Sequence, residues 1–167
     1  MDEAKKRQFI TLLEENKLLI LRICRGYAID HEDRKDLFQE VVINLWRSLP
    51  SFQGRSSIST WIYRIALNTC IRASLKYKTG NKEKIVLESI SFEEIEDPAR
   101  ESQNEAYQQL YSCINTLPES DKSIVLLYLE DLPYADIALI TGLIENHVAV
   151  KMKRIRVKLF DCLNQKS

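Results

Sequence analysis

A chain of 167 residues, 45% hydrophobic and 29% charged, has the make-up of a soluble globular protein with one domain or two small ones. It carries 24 Lys and Arg against 24 Asp and Glu, so total charge by itself gives no attraction to a polyanion. No apolar run approaches the roughly 20 residues that span a bilayer, and "MDEAKKRQF" lacks the apolar stretch of a leader, so a cytoplasmic protein with no membrane insertion of its own is expected.

Four Gly and four Pro argue for long helices. From Lys5 to Tyr27, Phe9, Leu12, Leu13, Leu19, Ile20 and Ile23 recur at helical spacing. "AIDHEDR" breaks the pattern, and Asp30 or His31 starts a second helix through Leu37, Phe38, Val41, Val42, Leu45, Trp46 and Leu49, ended by Pro50. "PSFQGRSS" reads as a loop with an exposed Phe52. A third helix follows from about Ser57 to Tyr77, and "TGN" stops it.

Next comes "NKEKIVLESISFEEIEDPARESQNEA", acidic, broken by Pro98 and without periodicity. It reads as a linker, long for a compact domain. Helical patterning returns at Ala106–Thr116, Ser120–Glu130 (with Ser120 as cap), Tyr134–Thr141 and Glu145 to about Leu163. The expected fold is all-α: a helical domain over residues 1–79, an acidic linker over 80–104, and a second helical domain over 105–167.

The neutral total hides an uneven distribution. Trp61 to Thr79 holds four bases and no acid, Gly80 to Glu105 eight acids and three bases, and His147 to Ser167 six bases and one acid. Cys24, Cys70, Cys113 and Cys162 are widely spaced with no CxxC pair, which reads as four small buried hydrophobes rather than a zinc site or a disulfide framework. There is no phosphate-cradling Gly loop and no triad-like or metal-ligand cluster. No enzyme activity, cofactor or metal is expected.

"YADIALITGLIENHVAVKMKRIRVKL" carries Ala138, then Gly142 four residues on, then Val148 six further. A small residue lets two helices cross closely, and Gly supplies a left-handed turn. That is the geometry of a helix-turn-helix, whose second helix enters the DNA major groove. On that helix Val148, Met152, Ile155 and Leu159 form a core face, and Lys151, Lys153, Arg154, Arg156 and Lys158 surround it. Its N-terminus presents Glu145, Asn146 and His147 to base edges or phosphates. Glu145 has two readings: it favours the helix dipole, or it accepts from a cytosine amino group.

In the third helix Ile58, Trp61, Ile62, Ile65 and Thr69 share a face expected to pack on the second helix. Arg64, Asn68, Arg72 and Lys76 form a stripe away from it, with Tyr63 alongside. Such a face suits single-stranded DNA, where aromatics stack on bases and cations follow the backbone; it serves equally as a solubilising surface. Asp33, Asp36, Gln39 and Glu40 make a mainly acidic face on the second helix, open to two readings: a dipole and solubility feature, or a protein-docking surface.

"DRKDLFQEVVINLW", "SFQGRSSISTWIYRIALN" and the helix-turn-helix ending together resemble the extracytoplasmic-function sigma factors of bacterial RNA polymerase, in the family's order of region two, linker and region four. The resemblance implies promoter recognition and transcription initiation. It assigns Asp33, Asp36, Gln39 and Glu40 to the clamp helices of the polymerase β′ subunit, with a further contact to the β subunit. Phe52 and Arg55 lie in the loop that receives a flipped base of the minus-ten element, and Tyr63, Arg64, Asn68, Arg72 and Lys76 line the melted strand. Trp46 and Trp61 match aromatics that hold the region-two core. Glu145, Asn146, His147, Ala149, Val150, Lys151, Lys153, Arg154 and Lys158 face the minus-thirty-five element. An anti-sigma factor is implied as a further partner. The chain departs from the family in having few bases in "TCIRASLKYK" and in "ENHVAVK" at the start of the recognition helix. A duplex-binding helix-turn-helix regulator acting as a dimer is the main alternative, and it leaves the acidic "DRKDLFQE" face and the Phe52 loop unexplained.

Overall fold

The computed structural model describes residues 3–79 and 105–166, without the side chains of residues 76–79 and 166. The acidic segment 80–104 lies outside the described residues. Among those described there are seven α-helices and no strand. The chain divides into two compact units, residues 1–89 and 90–167.

Unit 1 holds α1 (Glu3–Tyr27), α2 (His31–Ser48), a short 3-10 turn at Leu49–Ser51, and α3 (Ile58–Thr79). The break before α2 is built by side chains. Asp30 caps the helix by accepting from the Asp33 amide at 2.8 Å, and the Asp33 carboxylate accepts in return from the Ile29 amide at 2.9 Å. Two otherwise orphaned backbone donors are satisfied at once. Pro50 ends the α-helical pattern, as expected, but the chain tightens into a 3-10 turn before it leaves.

All three helices pack on one another. Phe9, Ile20 and Ile23 of α1 meet Leu37, Phe38, Val41, Val42 and Leu45 of α2, all buried. Each fully buried aliphatic side chain contributes about 1.5–3 kcal/mol of apolar burial. The buried residues of α3 are Ile62, Tyr63, Ala66, Leu67, Thr69 and Cys70. This face is broader than the expected one, and Ile58, Trp61 and Ile65 are only half-buried. The cause is that α3 packs against α1 as well as α2, so its buried sector is rotated toward Tyr63 and Leu67. Asn44 pins α2 to α3 by donating to Thr69 Oγ1 at 2.9 Å, and that hydroxyl donates to the Ile65 carbonyl at 2.7 Å.

Unit 2 holds α4 (Glu105–Ile114), α5 (Glu119–Tyr128), α6 (Tyr134–Thr141) and α7 (Glu145–Lys166). Ser120 is not the cap of α5: the helix begins one residue earlier with Pro118 at the cap position, and Ser120 lies inside the first turn. Pro118 offers no side-chain acceptor, so no side chain at the cap position closes the first turn. Ile124, Leu127, Ile137, Val148, Met152 and Ile155 are buried to 0–1% exposure and form the centre of this unit. The four-residue spacing read in α7 holds, since Val148, Met152, Ile155 and Leu159 are all buried.

The cysteine reading is half corrected. Cys24 and Cys70 are free buried thiols, but Cys113 of α4 and Cys162 of α7 are joined by a disulfide, their Cα atoms 5.9 Å apart. A separation of 49 residues hides from sequence spacing what helix packing brings together. Among the described residues, no helix is long and apolar enough to cross a membrane.

Candidate nucleic-acid interface

The turn between α6 and α7 has the backbone that its glycine allows. Gly142 sits at φ 80°, a left-handed conformation, and its amide donates to the Ala138 carbonyl at 2.9 Å, closing α6. Thr141 Oγ1 donates to the Ile137 carbonyl, and Val148 plugs the junction with no exposed surface. A helix-turn-helix results, with α7 as its second helix.

Around the axis of α7 the side chains sort into three sectors. The apolar residues face the core. Lys151 and Lys158, expected to face DNA, reach instead toward α5, where Asp121 accepts them at 3.3 and 3.5 Å. Asp121 is buried, and two lysines offset the cost of holding its charge there. Arg156 also turns to α5: it donates to the Tyr128 hydroxyl at 2.6 Å, with its guanidinium 5.0 Å from the ring centre. Three of the five cations read along this helix, Lys151, Arg156 and Lys158, therefore brace it on its neighbour.

The third sector is open to solvent. Glu145, Asn146 and His147 crown the helix N-terminus, Val150, Lys153 and Arg154 follow, and Ala149 is half-buried at the edge. Val157, 58% exposed, continues the sector beyond Arg154. Beyond Val150 the DNA-facing residues read from the sequence are all cations, which leaves Val157 out. An amide, two cations and two valines along one helix face match the groups that meet phosphates, base edges and thymine methyls in a major groove.

In unit 1, Arg64, Asn68 and Arg72 are exposed along one side of α3, four residues apart, as their spacing requires. The Lys76 side chain lies outside the described residues. Tyr63 is corrected: expected beside this stripe, it is 6% exposed and belongs to the core, because α3 buries that sector between two helices. Phe52 is also less exposed than expected, being half-buried with its ring centre 5.1 Å from that of Trp61. Trp46 packs edge-on against Phe9 at 5.0 Å, so both tryptophans support unit 1. The loop turns at Gly54, at φ 71°, and leaves Arg55 exposed.

On α2, Asp36 is exposed and Gln39 and Glu40 are half-buried along one strip. Asp33 differs from its neighbours, since its carboxylate is engaged by the Ile29 amide.

Comparison with known proteins agrees with this division. The family model of sigma-70 region 2 matches residues 12–79, and that of sigma-70 region 4 matches residues 107–159. The chain is 30% identical over 152 residues to the ECF RNA polymerase sigma-E factor of Haemophilus influenzae, covering 83% of this chain and 78% of that protein. It is 29% identical over 148 residues to the RNA polymerase sigma-H factor of Pseudomonas aeruginosa, covering 83% and 77%. Among solved structures, CnrH in complex with the cytosolic domain of CnrY matches the fold with a TM-score of 0.71 at 19% identity, covering 97% of this chain and 91% of that one. RpoE from Bartonella quintana, in complex with the anti-sigma factor NepR, matches with a TM-score of 0.66 at 20% identity, covering 92% and 97%. With α1–α3 as region 2 and α4–α7 as region 4, the chain belongs to the extracytoplasmic-function sigma factors, which direct bacterial RNA polymerase to promoters.

Proposed function

We propose that the two units divide promoter recognition by the physical state of the DNA. Region 2 docks on the polymerase β′ clamp helices through Asp36, Gln39 and Glu40. It holds the melted minus-ten strand along Arg64, Asn68 and Arg72, with Phe52 and Arg55 at the loop that takes a flipped base. Region 4 lays α7 in the duplex of the minus-thirty-five element, with Asn146, His147, Val150, Lys153 and Arg154 toward the groove. The observation that carries this reading is the pairing of two exposed polar and cationic helix faces, one in each unit, with two family regions in sigma-factor order.

Each face suits its strand state. Exposed guanidinium and amide groups at four-residue spacing follow a flexible backbone, and a half-buried Phe beside a Gly-turned loop offers an edge for an unstacked base. A base leaves its stack at a cost of a few kcal/mol, which contacts to the captured base offset. The chain supplies recognition and the polymerase supplies catalysis, so it acts without chemistry of its own, in the cytoplasm where the polymerase works. An anti-sigma factor is a further partner, a reading supported by the similar fold of RpoE, whose structure holds the anti-sigma factor NepR.

Run-off transcription with purified core polymerase tests this reading. The chain is expected to form a stable complex with core and to give discrete transcripts from genomic fragments. Asp36→Lys with Gln39→Ala should weaken the complex, and Asn68→Ala should leave assembly intact while impairing promoter opening. Absence of a stable complex would overturn the proposal.

A further inference from the structure

The four cysteines pair in space, one pair in each unit. Cys24 of α1 and Cys70 of α3 lie Sγ to Sγ at 3.9 Å, and Cys113 of α4 and Cys162 of α7 are bonded. Both pairs join the first helix of a unit to its last. Their surroundings differ. Cys24 and Cys70 are wholly buried, and the hydrogen bond to the Cys24 sulfur, together with burial, pushes the Cys70 thiol well above its ordinary range. A protonated thiol out of reach of solvent is a poor nucleophile. Cys113 is also wholly buried, but Cys162 is partly open to solvent near the end of α7.

We propose that Cys113 and Cys162 form a reversible thiol–disulfide site, entered through Cys162 by a low-molecular-weight disulfide such as oxidised glutathione. In the first step Cys162 loses its proton and its thiolate attacks one sulfur of the small disulfide. The S–S bond breaks, one small thiolate leaves and takes up a proton, and Cys162 carries a mixed disulfide. In the second step the Cys113 thiol loses its proton and attacks Cys162 Sγ, expelling the second small thiol. Two protein thiols are oxidised by two electrons and the small disulfide is reduced to two thiols. The order follows from access, since Cys162 is partly open to solvent and Cys113 is wholly buried.

The bond closes a loop of 49 residues that contains the whole helix-turn-helix and staples α4 onto α7. Without it, α4 is held through Tyr111, Ile114 and its other apolar contacts. In a protein that works beside polymerase in a reducing compartment such bonds are transient and sense redox state, so this inference rests on the cytoplasmic sigma-factor reading for its physiological meaning. Oxidation then sets how firmly the region-4 scaffold holds together.

The test equilibrates the full chain in glutathione buffers of graded oxidised-to-reduced ratio, traps thiols by alkylation, and maps peptides by mass. One two-electron transition linking Cys113 to Cys162 is expected, with Cys24 and Cys70 remaining thiols, and a Tm for the oxidised chain higher by ~10 °C. Cys113→Ser should accumulate one glutathione on Cys162. Cys162→Ser should take none on Cys113 and lose the Tm difference, while Cys24→Ala keeps it. Oxidation at Cys24–Cys70 first, glutathione on Cys113 in Cys162→Ser, or equal Tm values in both redox states would overturn the proposal. No readout involves DNA or polymerase, so failure here and failure of the promoter reading are separate results.

Discussion

The two helices assigned to DNA treat their cations differently. Along α3, Arg64 and Arg72 are exposed on the same side as Asn68, and no carboxylate occurs in Trp61–Thr79. Along α7, Lys151 and Lys158 converge on the buried Asp121, and Arg156 lies on Tyr128. The difference follows from packing. A three-helix unit leaves one side of α3 open, whereas α7 is flanked by α4, α5 and α6 and must satisfy α5's buried acid. Basic residues counted from sequence therefore do not reveal that Lys151, Lys158 and Arg156 of α7 are engaged by α5.

The largest effect should come from the residue that the comparison moves out of the DNA face. Tyr63→Ala removes a buried aromatic from unit 1 and should cost about 3 kcal/mol of stability, read by denaturant unfolding. Tyr63→Phe should leave promoter opening within twofold of wild type, because the ring belongs to the core. A large opening defect in Tyr63→Phe with normal stability would return Tyr63 to the DNA surface.

Next in size is the brace on α7. Asp121→Ala leaves Lys151, 24% exposed in its side chain, without its carboxylate, and should destabilise unit 2 by on the order of 2 kcal/mol. It also releases two lysines. Where the variant folds, its holoenzyme should bind promoter DNA with a steeper salt dependence than wild type. An unchanged slope would mean that the lysines were phosphate contacts from the start.

The smallest and most discriminating effect separates cations within one helix. Lys153→Ala and Arg154→Ala should each lower the salt slope of promoter binding by about one, the signature of a lost phosphate contact. Lys151→Ala should leave the slope unchanged and lower the unfolding temperature. The opposite assignment would erase the contrast between α3 and α7.

Much of this was legible because periodicity reports burial. The spacing of Val148, Met152, Ile155 and Leu159 gave the core face of α7, Gly142 gave the left-handed turn, and Arg64, Asn68 and Arg72 gave the exposed stripe of α3. What the spacing missed depends on partners distant in the chain. Tyr63 is buried because α3 has two neighbours, Lys151 is diverted by an acid 30 residues earlier, and Cys113 meets Cys162 only when α4 lies on α7. Asp33 is a local case that chemistry could have caught. An Asp three residues after the Asp30 cap is placed to return the capping bond to the segment before the helix.

The central claim is that one chain reads melted DNA with α3 and duplex DNA with α7, through the exposed sectors named above. Site-specific photo-crosslinking in a reconstituted holoenzyme–promoter complex tests it most directly, with a photoreactive side chain placed singly at Asn68, Val150 or Tyr128. The account predicts a crosslink from position 68 to single-stranded minus-ten DNA, one from position 150 to the minus-thirty-five duplex, and none from position 128. Crosslinks from position 128 but not 150, or from position 68 to duplex DNA alone, would contradict it.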